Sequence, residues 1–245
     1  TKFSIYNCFC LTLHIYLLNN NTFNTMAKKN ITIAHSEILN FYITYLLEKG
    51  DKPASVYLFC KENNFEEPLF YKHFGSFEAI EKSIFQTFFE NTHEALEKNT
   101  EYLTFDARNK LLSFYFTFFE NLTANRSFVL AILNKNKFDL KKLNVLSDLK
   151  NSFTNYITSL DIEIIDFKQK NIEQIQQKGM KESAWFQLLI TLKFWMDDTS
   201  ASFEKTDIFI EKSINTSFDL MNTTPLKSLV DFGKFLYKEK MNLNS

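Results

Sequence analysis

The chain has 245 residues, of which 45% are hydrophobic, and this length is enough to bury a sizeable core in one or two domains. Twenty-eight Phe against four Gly and three Pro leave few of the turn residues that a multi-stranded sheet needs, so the composition predicts an all-α fold. The net charge of −1 excludes a global attraction to nucleic acid or to an anionic membrane, and any such contact depends on a local patch.

The first 25 residues differ from the rest of the chain. They hold Cys8, Cys10 and an apolar run, begin without Met and are followed by Met26. Three interpretations fit: sequence upstream of a start at Met26, a signal or anchor segment, and an extra helix. The apolar run is shorter than the ~20 residues of a membrane helix, so we expect a non-native or disordered extension and a cytoplasmic protein.

Residues 26–90 are predicted to form a first domain that begins with two helices. In the first helix, apolar residues recur at helical spacing until "EKGDKP" ends it with Gly50 and Pro53. The residues on this stripe are Ile38, Tyr42, Tyr45 and Leu46. The second helix, within "ASVYLFCKENN", places Val56, Phe59 and Cys60 on one side.

A third and a fourth helix complete this domain. The third is predicted from about Glu66 to His73, after a tight turn. Ser76 is suited to cap the fourth, whose apolar residues follow at four-residue steps and lead into the second domain. Those residues are Ile80, Ile84 and Phe88.

Residues 91–245 are predicted to form a larger helical bundle. The segment "KLLSFYFTFFENL" is apolar on nearly every face and should be central, and "SAWFQLLITLKFWMDD" carries a broad apolar stripe. Residues 161–181, rich in Gln and Lys, are expected as an exposed helix or loop before that stripe. Two amphipathic helices follow, one with Ile210, Ile214 and Phe218, the other from Pro225.

Aromatic residues of the central helix should face the Trp-containing helix. Such a cluster either fills the core or leaves an elongated cavity for a hydrophobic ligand, for example a fatty acyl, isoprenoid or aromatic compound. The candidate lining is Phe114, Tyr115, Phe118, Phe119, Trp185, Leu189 and Phe194.

The segment "LFYKHFGSFEAI" resembles the TetR family of bacterial repressors, whose third and fourth helices typically read like "TLYxxFxSKExL". The matching residues are Tyr71, Phe74, Ser76, Glu78 and Ile80. The resemblance implies an all-α homodimer with an N-terminal helix-turn-helix that binds DNA and a larger unit for ligand binding and dimerisation. The residues placed to contact DNA are Lys52, Ser55, Lys61, Leu69, Tyr71, Lys72 and His73.

The charge of this unit argues against DNA binding. Where the family carries small or basic groups, this chain has Glu66, Glu67 and Pro68, and residues 28–90 contain seven Lys and nine Asp or Glu. An anionic pair repels phosphate, although both glutamates also suit a helix N-terminus through the helix dipole.

A second resemblance concerns residues 194–221, which are similar to the TetR-fold accessory proteins of mitochondrial ubiquinone biosynthesis that bind isoprenoid lipid. It is carried by Phe203, Glu204, Thr206, Phe209 and Glu211. It implies a TetR-fold protein that holds a lipid or hydrophobic ligand and does not read DNA. It also implies a last helix that docks on membranes, but for this chain packing against the bundle or a second subunit is favoured.

The sequence shows no chemistry that would make an enzyme. Four His have no metal-ligand spacing, and there is no Gly-rich phosphate loop or nucleophile elbow. Asp197 and Asp198 are adjacent, which on a helix points them about 100° apart and suits a solvated helix end or a buried hydrogen-bond acceptor. We therefore predict no catalytic activity, metal or cofactor.

Overall fold

The computed structural model describes residues 32–134, 140–162 and 170–221. All regular structure in these ranges is helical, as predicted. The helices are α1 His35–Lys49, α2 Val56–Glu62, α3 Glu67–His73, α4 Phe77–Glu97, α5 Thr100–Thr104, α6 Ala107–Ala124, α7 Arg126–Asn134, α8 Ser147–Ser159, α9 Lys170–Asp197 and α10 Glu204–Met221, with short 3-10 helices at Leu140–Leu146 and Ala201–Phe203.

The ends of the first helices follow the predicted signals. Gly50 ends α1 at φ 72°, and its N–H donates to the Leu46 carbonyl at 2.9 Å. Ser55 Oγ accepts from the Leu58 N–H at the start of α2, and Ser76 Oγ accepts from the Ala79 N–H at the start of α4. These caps satisfy backbone groups that have no partner inside the helix.

One phenylalanine organises the core of the first three helices. The fully buried Phe59 of α2 makes ring contacts, with centroids 5.6–6.3 Å away, to side chains of α1, α3, the α2–α3 turn and the start of α4. The partners are Tyr42, Tyr45, Phe65, Phe70 and Phe77. Apolar side chains from all three helices therefore pack around Phe59.

α4 connects this core to the larger bundle. It packs against α1 on one side and against α6 and α8 on the other, while α6 also packs on α10 and α8 on α9. The central position predicted for the α6 segment is found, but one side of it reaches the surface, where Phe116 is 37% exposed.

Two segments of the bundle differ from the sequence-based expectation or lie outside the described residues. Residues from Lys170 onward are not a separate element, because they form the first turns of the 28-residue α9. The helix predicted from Pro225 and the segment 1–25 lie outside the described residues. No helix in the part of the chain described here has the length and apolar character needed to cross a membrane.

Candidate functional site

Four of the predicted DNA contacts, Lys61, Tyr71, Lys72 and His73, lie on the surface of the α2–α3 pair. Lys61 of α2 and Lys72 of α3 are exposed, and Tyr71 is 54% exposed. Leu69, on the same short helix, is half-buried. A lysine from each helix and an exposed aromatic ring are thus available to an external partner.

Lys52 has a different environment. Its Nζ lies 2.9 Å from Oε1 of Glu81, a carboxylate that is only 5% exposed. The same carboxylate accepts a hydrogen bond of 2.6 Å from the Tyr42 hydroxyl, and burial followed by this bond raises the pKa of Tyr42. The charge of Lys52 is therefore balanced inside the protein, where it ties the segment after α1 to α4.

Ser55 and His73 hold the helices in place. The Ser55 hydroxyl is the cap of α2. His73 Nε2 lies 3.0 Å from the Ile33 carbonyl oxygen, and because a carbonyl only accepts, this nitrogen carries the proton and donates it. Ser55 therefore stabilises the start of α2, and His73 joins the end of α3 to the segment before α1.

The acidic residues stand at the start of α3. Glu66 is the exposed residue before the helix and makes no side-chain cap, and Glu67 lies in the first turn of α3, four residues before Tyr71. Burial, and then the Glu67 carboxylate, raise the pKa of Cys60 to about 11, so this thiol stays protonated at neutral pH. The turn before α3 has Asn64 at φ 58°, a left-handed conformation that Asn adopts more readily than most residues.

Six of the seven predicted ligand residues lie in the core of the second bundle. Phe114 stacks on Phe118 with ring centroids 5.5 Å apart, and Tyr115 stacks on Phe119 at 6.1 Å. Trp185 and Leu189 are buried on α9. Phe194 does not join them, because it is 37% exposed and stacks on Phe209 of α10 at 4.5 Å.

The sequence analysis missed three members of this cluster. Phe153 and Tyr156 of α8 lie 5.5 and 4.8 Å from the Phe114 ring, and Trp195 lies 6.2 Å from Phe119. The signal for α8 was present in the apolar spacing of "LKNSFTNYITSL", which puts Leu149, Phe153 and Tyr156 on one face.

Tyr115 is the polar group at the centre of this cluster. The residue is 1% exposed, and burial raises the pKa of its phenol. Its ring contacts those of Phe114, Phe119 and Phe153. Among the described residues, no fully buried side-chain nitrogen or oxygen lacks a hydrogen-bond partner.

A second aromatic surface faces outward on α9 and α10. Phe186 and Ile190 are 53% and 42% exposed, and with Phe194, Ile208 and Phe209 they form what we call the α9–α10 face. A cleft of about 600 Å³ runs along it, lined by Phe194, Lys205, Ile208, Phe209, Lys212, Ser213 and Thr216.

An all-α chain with three short helices before a larger bundle, and with an exposed pair of helices joined by a tight turn, has the organisation of a helix-turn-helix regulator. A family model described as the tetracycline repressor-like C-terminal domain matches residues 110–236, which is more than half of the chain. The chain therefore belongs to the TetR family, as its N-terminal resemblance predicted, and its class is that of a TetR-family regulator. No curated protein matches the sequence.

Proposed function

We propose that this protein is a cytoplasmic, ligand-responsive transcriptional regulator that binds DNA as a homodimer through α2 and α3. The exposure of Lys72 and Tyr71 on α3, in a chain whose C-terminal part belongs to the TetR family, carries the proposal. In a helix-turn-helix the second helix enters the major groove, and a dimer meets half-sites about one helical turn apart.

The small number of cations sets the expected strength of DNA binding. Lys61 and Lys72 supply two exposed cations per subunit on the α2–α3 pair. Each phosphate contact releases roughly one counterion, so these four cations per dimer predict a salt slope of roughly −4 for log K against log salt. Specific binding is therefore expected to weaken less steeply with salt than in strongly basic repressors.

Footprinting on the DNA upstream of the protein's own coding sequence tests the proposal. Lys72→Glu should abolish protection, because it replaces a cation on the groove-facing helix with an anion. Lys178→Glu is the matched control, since Lys178 is an exposed lysine on α9 and its replacement should leave protection unchanged. Absence of any protected fragment at low salt, with folded wild-type protein, would rule out DNA binding by this unit.

The acidic start of α3 favours a second candidate, a TetR-fold protein that holds a lipid or other hydrophobic ligand and no longer reads DNA. Glu66 and Glu67 lie at the N-terminus of α3, the helix that would enter the major groove of DNA. The charge of Lys52 is balanced by Glu81. Under this alternative, changing both Glu66 and Glu67 to Lys should raise the nonspecific affinity for DNA from a very low value. Micromolar binding of duplex DNA by the wild-type protein at physiological salt would reject it.

Both candidates include a hydrophobic ligand near Tyr115, for which the cluster of aromatic rings around this phenol is the support. Tyr115→Phe separates a ligand site from a filled core. If the phenol orients a bound ligand, removing its hydroxyl should weaken ligand retention by about 1 kcal/mol, the contribution of one hydrogen bond, whereas a filled core retains no ligand in either protein.

Native mass spectrometry of protein purified from cells measures that retention directly. A co-purified apolar compound should be present on the wild-type protein and depleted on Tyr115→Phe. A single ligand-free mass, with no thermal stabilisation by any compound in a panel of fatty acids, isoprenoids and aromatics, would establish the filled core instead.

A further inference from the structure

The chain uses arginine at only two positions. Of its 28 Lys and Arg, only Arg108 and Arg126 are arginine, and both contact α10 or the loop that leads into it. Arg108 lies in α6 and Arg126 is the first residue of α7. The two guanidinium groups therefore hold opposite ends of the helix that contributes Ile208 and Phe209 to the α9–α10 face.

Arg126 joins α7 to the end of α9. Its Nη1 donates to the Trp195 carbonyl at 2.9 Å, and its Nη2 donates to the Met196 and Asp198 carbonyls at 3.0 and 3.3 Å. The guanidinium carbon lies 4.5 Å from the Trp195 ring centre and 4.6 Å from that of Phe203. A cation at the last carbonyls of a helix is stabilised by the helix dipole and satisfies acceptors that lack a partner.

The loop that Arg126 holds has an unfavourable backbone conformation. Ser202 and Phe203 are consecutive left-handed residues at φ 51° and 59°, and neither is glycine. Such conformations are strained for a residue with a side chain, and they persist where the surroundings impose them. The contact of the Phe203 ring with the Arg126 guanidinium is one of the interactions that hold the loop in this conformation.

Arg108 makes a similar contact at the far end of α10. Its Nη2 donates to Asp219 Oδ1 at 2.6 Å, its Nη1 to Asn215 Oδ1 at 3.4 Å, and its guanidinium carbon lies 5.5 Å from the Phe218 ring centre. Lysine can reproduce neither arrangement, because an ammonium lacks the planar group that stacks on rings and donates in several fixed directions.

The helices that carry the two arginines pack against different neighbours. α7 packs against α1, and its Phe128 lies 6.4 Å from Phe85 of α4. Arg126 is therefore connected through one nine-residue helix to the first helix of the N-terminal unit. Arg108 belongs to α6, which packs against α4 and α10.

We propose that Arg126 mechanically couples the α9–α10 face to α1 through α7, and that Arg108 holds the other end of α10 without taking part in this coupling. The link itself lies within one chain. Its use to carry information from the α9–α10 face to the DNA-binding helices rests on the proposed function.

Hydrogen exchange followed by mass spectrometry on Arg126→Lys and Arg108→Lys tests the coupling. Arg126→Lys should raise exchange about tenfold in residues 195–210 and also in α1, because both ends of α7 lose their fixed position. Arg108→Lys should raise exchange in residues 215–221 and leave α1 at the wild-type rate.

α8 serves as the internal reference, because a general loss of stability would raise its exchange as well. The proposal is overturned by an unchanged α1 in Arg126→Lys, by an equal rise of α1 in both variants, or by a rise that includes α8. If Arg126→Lys does not fold, Phe203→Ala, which removes one stacked ring and keeps the carbonyl contacts, must show the same pattern at lower amplitude.

The exchange experiment does not require DNA, so its outcome is separate from that of the proposed function. If the protein binds an operator, Arg126→Lys should weaken that binding more than Arg108→Lys. A protein without DNA binding can still show the coupling, and an operator-binding protein can still lack it.

Discussion

Asp198 is a buried carboxylate that links two helices through four hydrogen bonds. Its Oδ1 accepts from the Ser200 N–H and hydroxyl at 2.8 and 2.7 Å, and its Oδ2 accepts from the Thr206 N–H and hydroxyl at 2.9 and 2.7 Å. Burial alone would raise the pKa of Asp198, but these four donors lower it to about 2. The ionised form therefore stabilises the joint between α9 and α10.

This pKa gives a pH-dependent prediction. A carboxyl whose folded pKa lies below its unfolded value contributes stability that is complete above the unfolded value, about pH 4, and is lost as the pH falls toward 2. Asp198→Asn should reduce the free energy of unfolding at pH 7 by on the order of 2 kcal/mol, with a smaller deficit at pH 2.5. Urea denaturation at pH 7, 4 and 2.5 measures both effects.

Asp197→Asn is the control for this prediction. Asp197 is exposed and pairs with Lys193 on the same helix, an arrangement that contributes little in water. An equal deficit in the two variants at pH 7 would show that the four donors do not stabilise the joint.

The same two aspartates show how far single residues could be read from the sequence. A solvated helix end and a buried acceptor were both compatible with the pair, and each residue adopts one of them. The choice depends on Ser200 and Thr206 folding back onto Asp198, a tertiary contact without a local pattern. Lys52 is a similar case, because Glu81 lies 29 positions further along the chain.

At the scale of helices, the end of α1 provides a test of backbone conformation. Gly50 has φ 72°, and a Cβ added there would meet no atom within 4 Å. Gly50→Ala should therefore lower the free energy of unfolding by about 1 kcal/mol through backbone strain alone. Thermal denaturation of the purified variant measures the change.

Gly179 supplies the opposite case. It lies inside α9 with no positive φ and with equally open space around it, so Gly179→Ala should stabilise the protein by roughly 0.5–1 kcal/mol. Destabilisation by both substitutions would mean that the space around these glycines, and not the backbone, decides the outcome.

Helix identity was predictable where apolar spacing and a cap occur together. α1, α2, α4 and α10 were predicted from apolar spacing, and most of the positions that it selected are buried. Tyr45 and Val56 are only half-buried, and Leu39 and Phe85 are buried although the spacing did not select them. The first turns of α9 were not recognised as part of the same helix as Trp185, because the Gln- and Lys-rich sequence before Trp185 has no apolar stripe. A segment without periodic apolar residues gives no sign of a helix in a sequence.

For the whole molecule, the arrangement of the aromatic residues decides which surfaces are free. The chain has enough aromatic side chains to fill a core and to cover part of the outside, and periodicity alone does not distinguish the two. Phe194 was assigned to the inner cluster with Trp185 and Leu189, but it lies on the opposite side of α9. Placing it required the packing of α8 and α10 against α9, which no single segment encodes.

The outward position of Phe194 makes the α9–α10 face the surface on which we expect a second copy of the chain. Exposed apolar patches of this kind mark interaction sites, and a two-fold interface uses the same patch on both subunits. A substitution there is therefore present twice in the contact. Phe194→Glu should raise the dimer dissociation constant at least a hundredfold, because each buried carboxylate would lack a partner in an apolar interface.

Sedimentation velocity over a range of concentrations measures this effect, and Phe116→Glu is its matched control. Phe116 is also 37% exposed, but it lies on α6 and outside the α9–α10 face, so its replacement should leave a dimer. Circular dichroism must show both variants folded. A wild-type protein that sediments as a monomer at micromolar concentration, or a Phe194→Glu protein that remains dimeric, would show that this face does not join two copies. The apolar surface of α9 and α10 would then belong to a different partner.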